Sequence, residues 1–304
     1  MKPKIVIIIL ISLFLAGTIF SCAIVSEVVQ AAGTAGFIDK NTVNNTVKAI
    51  NASSKAIDSA VEEISPQQEY YIGRAVAANI LASYKLYTKN RKLTAYLNSI
   101  CAAITINSMR PNIYNGYHVA LLDSNEINAF ATSGGHIFVT RGLVNAAKSE
   151  DALAGVIAHE VAHIQLRHSI NAIKSSRFTQ AFLVTGTSAA SVATGMDAKQ
   201  LTALMNESVG DIVQTLVNSG YSQAQEFEAD NTAMLLMSYA GYNPSGLIEM
   251  LKSLSTVQKA GVGLGKTHPS PAQRINNAEI TVLLYGGAKD TSVKRKARFA
   301  SAIK

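Results

Sequence analysis

Residues 159–163 read His-Glu-Val-Ala-His, and no other stretch of the chain restricts its fold so tightly. Histidines at i and i+4 share one face of an α-helix, so His159 and His163 can hold a single zinc ion if the segment is helical. Glu160 lies beside that face, placed to take a proton from a water that zinc makes acidic. Two histidines do not complete a catalytic zinc site, which uses three protein ligands and one open position. A second element must therefore come up against this helix. Ala152, Gly155, Val156, Ala162 and Leu166 share the histidine face, and most of them are small enough to allow a close approach. Ser149 reads as the helix N-cap, with Glu150 and Asp151 in the first turn, where the macrodipole favours acids.

The segment Tyr221-Ser222-Gln223-Ala224-Gln225-Glu226-Phe227-Glu228-Ala229-Asp230 offers three carboxylates. Ser222 caps a helix predicted to run to about Tyr239 and to end at Gly241, with Pro244 just beyond. On that helix Glu226, Ala229, Asp230, Ala233, Met234 and Met237 share a face, while Glu228 points roughly 200° away from Glu226. Glu226 is therefore the predicted third ligand and Glu228 a solvated side chain. Asp230, one turn on, is predicted to accept the second ring proton of a ligating histidine and so fix its orientation. The competing reading makes Glu226 and Asp230 an ion pair with an arginine at the core edge, because two carboxylates on an apolar face must be paired or bound to metal.

The remaining elements follow from local signals. Ser65-Pro66 opens a helix carried by Ile72, Val76, Ile80 and Leu81 through Lys85. A second helix covers Lys92 to Ser108, ending before Arg110-Pro111. Tyr117–Leu122 and Asn128–Thr140 are the β region, with Ser133-Gly134-Gly135 as a turn. Residues 169–219, rich in Ala, Ser, Thr and Gly, read as helices joined by a loop near Gly195. Cys101, in the apolar run Leu97 to Ile106, reads as a buried, inert thiol.

The amino terminus is of another kind. Lys2 and Lys4 precede an apolar run from Ile5 to Phe20, then Ser21 and Cys22, the layout of a bacterial export signal. Ile19-Phe20-Ser21-Cys22 resembles a lipoprotein cleavage site, which puts lipid on Cys22. Ordinary cleavage and an uncleaved anchor remain open, since Ile5 to Val25 is long enough to cross a bilayer. All three place the rest of the chain outside the cytoplasm. Loss of the two lysines lowers the net charge from +7 to +5. Part of that excess lies in a carboxy-terminal tail where Lys289, Lys294, Arg295, Lys296, Arg298 and Lys304 face a lone Asp290. Such a tail could touch anionic lipid or nucleic acid, but a solvated, partly disordered end is the simpler expectation. No interleaving of aromatic and basic residues favours nucleic acid. The predicted organisation is a signal over 1–21, a tether over 22–64, a catalytic domain over 65–285 and a basic tail over 286–304.

HExxH followed by the Glu226-to-Asp230 ExxxD helix, with Asn128-Ala129-Phe130-Ala131 and Gly134-Gly135 before it and His268-Pro269-Ser270-Pro271-Ala272-Gln273-Arg274 after it, resembles the zinc endopeptidase family of HtpX, the CAAX prenyl proteases and the periplasmic BepA and LoiP proteins. The resemblance covers roughly residues 65–285 and is strongest to the short, exported LoiP-like members. It implies an α+β fold, mainly helical and zincin-like, with a small sheet whose edge strand borders the active-site cleft. It also implies His159, His163 and Glu226 as ligands of one zinc per chain and Glu160 as the catalytic acid and base. Gln223 and Ser133 depart from the Arg and Pro that the family often carries there, and neither position binds zinc.

Two elements have open roles. The strand through Asn128, Ala129 and Phe130, with Gly134 and Gly135 beyond it, would bind substrate backbone as an added strand; Phe130 and Phe138 would serve as core in either case. The resemblance brings His268 near the metal. There it could stabilise the oxyanion, occupy the open zinc position and keep the enzyme latent, or cap the following helix. His118, His136 and His168 lack a partner at ligand spacing, and His168 is expected to turn away from His163. The leading function is a zinc-dependent endopeptidase outside the cytoplasm, acting on misfolded or unassembled envelope polypeptides. The alternative from another class is a non-catalytic, zinc-bound chaperone or assembly factor at the membrane, against which an intact Glu160 argues.

Overall fold

A computed structural model describes residues 66–171, 220–257, 271–285 and 292–303, with further positions at 41, 44, 48, 209, 210, 212–214, 216, 267 and 268. The chain divides into two units, residues 1–63 with 174–205, and residues 64–173 with 206–304. In the first, the described residues Asn41, Asn44 and Lys48 are helical and exposed. The expected signal, most of the tether and the helices expected around Gly195 lie outside the described residues.

The second unit is mainly helical with one small mixed sheet. Helix α1 spans Pro66–Ser83 and α2 spans Arg91–Thr105, the latter capped by Asn90, whose side chain accepts the Leu93 N–H. Strands β1 (His118–Leu122), β2 (Ala129–Ala131) and β3 (His136–Thr140) stand in the order β1-β3-β2, with β1 parallel and β2 antiparallel to β3. Thr140 ends β3 and caps the short helix α3 (Arg141–Ala146). Helix α4 (Glu150–Gln165) carries the HExxH motif, α5 spans Gln223–Tyr239, α6 Ser245–Val257, α7 Pro271–Thr281 and α8 Ser292–Ala302.

The period of two along the strands sorts the core into two layers. Val119, Leu121, Ala129, Ala131, Ile137 and Val139 face a large cluster with α2, α4, α5 and α6. Leu122, Phe130 and Phe138 face a smaller one with Ile72, Val76 and Ile80 of α1. Phe130 and Phe138 are register partners and both are buried, so their core role is met. Cys101 is buried, which pushes its thiol up to about 12 and leaves it inert.

Every residue of α4 from Ala152 to Ile164 is buried, because α2, α5 and α6 pack around it. Glycines on both sides let α6 come close. A Cβ on Gly155 would stand 2.8 Å from Leu247 Cα, and one on Gly246 would stand 2.4 Å from the Asp151 carbonyl carbon. Gly155 thus serves the α6 contact, while α5 takes the other flank and supplies the candidate ligand.

The carboxy-terminal tail corrects its expectation of a solvated, partly disordered end. Residues 292–302 form α8, whose Phe299 reaches the core. Arg295 Nε donates to Asp151 Oδ2 at 3.0 Å, its Nη1 donates to the Gly241 carbonyl at 3.2 Å, and Arg298 pairs with Glu150. The two acids in the first turn of α4 are the partners that order this basic helix. Sequence proximity shows Asp290 as the tail's lone acid and gives no sign of partners about 145 residues away.

Candidate metal centre

The Ser149 hydroxyl accepts the Ala152 N–H at 3.0 Å and starts α4 in the phase that turns His159 and His163 inward. Ser222 caps α5 reciprocally with Gln225, and this phase turns Glu226 and Asp230 onto the same centre. The loop before α7 contributes His268, and α7 buries Arg274 together with Ala278 and Thr281 at helical spacing. His159, Glu160, His163, Glu226, Asp230, His268 and Arg274 are each no more than 4% exposed.

One donor atom from each of His159, His163, Glu226 and His268 lies within 4.8 Å of the others. His159 Nε2 stands 3.0 Å from His163 Nε2 and 3.2 Å from His268 Nδ1. Glu226 Oε1 is 3.0 Å from His268 Nδ1 and 3.6 Å from His163 Nε2, and Glu226 Oε2 is 3.5 Å from His159 Nε2. Four N and O donors at about 2.0–2.1 Å from a tetrahedral zinc ion stand roughly 3.3–3.4 Å apart, and these separations of 3.0–3.6 Å bracket that value, so the donor set suits the ion. Charge fits as well. Among the described residues three buried carboxylic groups, Glu160, Glu226 and Asp230, share this centre with one buried guanidinium, Arg274, an acid-rich setting that suits a cation.

Asp230 Oδ1 stands 2.9 Å from His159 Nδ1, the ring nitrogen turned away from the donor cluster. Arg274 fastens Asp230 with a two-pronged contact, Nε at 2.8 Å and Nη2 at 2.7 Å, and places Nη1 2.8 Å from Glu226 Oε2. The arginine ion pair and the metal-ligand arrangement, set against each other from sequence, are here parts of one cluster. Burial alone would raise the Glu226 carboxyl, but His268 and Arg274 outweigh it and hold it well below its ordinary range. Glu160 goes the other way. Burial pushes its carboxyl up against the pull of His268 and His159. Its Oε1 has no hydrogen-bond partner among the described residues and lies 3.5 Å from His268 Nε2.

His268 therefore sits inside the donor set. Thr267 Oγ1 donates to Asn128 Oδ1 at 3.1 Å, which ties this loop to the start of β2. Among the described residues β2 pairs with β3 alone, and the Asn128–Thr140 and Thr132–His136 bonds fix the phase in which Ala129 and Ala131 turn their backbone groups away from β3. Gly134 and Gly135 form the turn at the other end of β2. Gly135 has φ +86°, and a Cβ there would stand 2.4 Å from the Gly116 carbonyl oxygen and from Ile113 Cδ1, so backbone conformation and close packing both demand glycine at that position; the Gly134 backbone in turn requires glycine at 73, where a Cβ would stand 2.1 Å from Gly134 N.

His168 corrects its expectation. It is buried, and its Nδ1 lies 2.8 Å from His163 Nδ1. Helical phase had turned it away, but α4 stops at Gln165 and Arg167 takes φ 57°, which swings the next residue back. Glu228, expected to be free in solvent, is 59% exposed and stands 3.3 Å from His168 Nε2. Sequence reasoning also missed Tyr221, whose ring stacks on His163 with centroids 4.1 Å apart. Its place directly before the Ser222 cap was the available signal.

The sequence profile of peptidase family M48 matches residues 89–282, which include all of these site residues. The chain belongs to peptidase family M48. Among curated M48 relatives, the beta-barrel assembly-enhancing protease of Escherichia coli is 25% identical over 224 residues, 72% of this chain and 45% of that protein. Metalloprotease LoiP of Escherichia coli is 30% identical over 173 residues, 56% of this chain and 65% of that protein. Mitochondrial metalloendopeptidase OMA1 of Schizosaccharomyces pombe is 31% identical over 159 residues, 50% of this chain and 42% of that protein. The matched segments thus span between two-fifths and two-thirds of these relatives. Helix α8 lies beyond the part that the M48 profile matches.

Proposed function

We propose that this M48 chain is a zinc-dependent endopeptidase of the HExxH gluzincin type, working in a bacterial envelope outside the cytoplasm. The observation that carries the reading is the buried group of His159, His163, Glu226 and His268 with the Glu160 carboxylate beside it. Zinc, when bound there, supplies a Lewis acid for the scissile carbonyl and an acidified water. Glu160 takes the proton and returns it to the departing amine, and its raised carboxyl suits both transfers. Asp230, itself fixed by Arg274, holds the His159 ring in place. The Ala129 and Ala131 backbone groups on the side away from β3 bind the peptide as an added strand, the Ala129 N–H being released from Asn128 Oδ1, which accepts it at 2.9 Å in the resting structure, with Phe130 setting the strand and Gly134 and Gly135 turning its end. Backbone recognition of this kind suits unfolded polypeptides of varied sequence.

His268 acts as an internal ligand that keeps the resting enzyme latent. This is supported by its Nδ1 lying among the donor atoms at 3.0 Å from Glu226 and 3.2 Å from His159. Substrate entering along β2 competes with the Thr267–Asn128 bond that fastens this loop. The proposed substrates are misfolded or unassembled envelope proteins, a choice supported by the export-type amino terminus and by a relative named for enhancing β-barrel assembly. The proposed attachment is lipid on Cys22 or an uncleaved amino-terminal anchor. Among the described residues no helix is long and apolar enough to cross a membrane. Casein digestion by the purified chain, with and without chelator and alongside metal analysis, tests the reading. Cleavage lost on chelation and restored by one zinc per chain is the expected result, whereas chelator-resistant cleavage or none at any zinc level contradicts it.

A further inference from the structure

The two motif histidines are held from behind in different ways. His159 turns Nδ1 to a buried carboxylate, Asp230. His163 turns Nε2 toward the donor set and Nδ1 toward a third imidazole, His168. We infer that His168, backed by Glu228, is a positioning residue that fixes the His163 ring for zinc. The inference rests on the zinc reading of the site.

Hydrogen-bond chemistry gives this contact a direction. A neutral imidazole that offers the Nε2 lone pair to a metal carries its proton on Nδ1. His163 Nδ1–H is then a donor whose partner among the described residues is His168 Nδ1, 2.8 Å away. Two ring nitrogens at that distance share one proton, so His168 Nδ1 accepts and its own proton sits on Nε2. That nitrogen faces Glu228 Oε2 at 3.3 Å, a carboxylate that accepts. Ligation at one end and a carboxylate at the other therefore select one tautomer for each histidine along a line running from the metal to the surface. Tyr221 stacks on the His163 ring and restricts its remaining rotation. The turn that makes this possible is Arg167, whose left-handed backbone returns the chain toward α4 after the helix has ended.

Outer partners of ligating histidines typically contribute about 10–100-fold in metal affinity. The experiment measures zinc affinity by chelator competition, and thermal unfolding of the zinc-free protein, in the full chain carrying E160Q so that self-cleavage does not interfere. His168→Ala is expected to weaken zinc binding by about 10–100-fold. His168→Asn places an amide oxygen close to where Nδ1 stood and is expected to keep affinity within about threefold of the parent, whereas His168→Gln, whose oxygen falls nearer the Nε2 position, should resemble alanine. Glu228→Gln, which keeps an acceptor, should lose less than His168→Ala. Unchanged affinity in His168→Ala, or equal losses in the Asn and Ala variants with matching drops in zinc-free stability, overturns the inference and leaves His168 a packing residue. A parent protein that binds no zinc fails a different claim, the zinc reading itself.

Discussion

Among the described residues Arg274 is the one guanidinium paired with both Glu226 and Asp230, and removing it is the most severe test of how the centre is held together. Arg274→Met keeps length and apolar bulk but deletes contacts of 2.8 and 2.7 Å to Asp230 and 2.8 Å to Glu226, all between side chains no more than 3% exposed. Breaking a buried ion pair from one side costs about 3–5 kcal/mol, because the abandoned charge stays out of water. For a unit of this size each kcal/mol moves the melting temperature by roughly 2–4 °C, so the zinc-free variant should melt about 6–20 °C lower. The signature lies in the double variant. Asp230→Asn removes one of the stranded charges, so Arg274→Met/Asp230→Asn should be less damaged than the two single variants added together, with a coupling of about 1–3 kcal/mol. Calorimetry or circular dichroism melts of the four metal-free proteins read this directly. Additive losses, or a drop below about 3 °C for Arg274→Met, would refute the reasoning that Arg274 neutralises the cluster.

Two further outcomes follow from other parts of the structure. His268→Ala should raise peptidase activity measured on casein, by the inverse of the fraction of wild-type molecules in which that histidine has left the site; a fall would instead make His268 a direct stabiliser of the reaction. Arg295→Ala should cost about 1.5–3 kcal/mol in thermal unfolding by stripping Asp151 and the Gly241 carbonyl of a charged donor, and a neutral result would mean that α8 contributes little to the start of α4.

How much of this was legible from the residues depended on the range of the signal. The Ser149 and Ser222 caps set the phase of α4 and α5, and that phase delivered His159, His163, Glu226 and Asp230 to one place. Intrahelical geometry needs no knowledge of the fold. It failed where the helix ended: His168 was assigned a direction by continuing α4 past Gln165, and the left-handed Arg167 reversed it. Pairings across long loops carried no local mark either. Arg295 and Arg298 looked like a solvated basic run because Asp151 and Glu150 are some 145 residues away. Arg274 was visible at the end of the motif that begins at His268, but its partners became known only when α7 and α5 were seen to pack together. Gly155, counted as room for the ligand helix, turned out to admit α6.

Glu160 carries the proposed chemistry. Substituting glutamine keeps the size and leaves every donor of the His159, His163, Glu226 and His268 group in place, while removing the one group assigned to move a proton. Zinc content and casein cleavage measured on the same preparation of Glu160→Gln give the answer. The predicted result is one zinc per chain, as in the parent, with cleavage reduced by at least about 10²–10⁴-fold. Full zinc with retained cleavage contradicts the account.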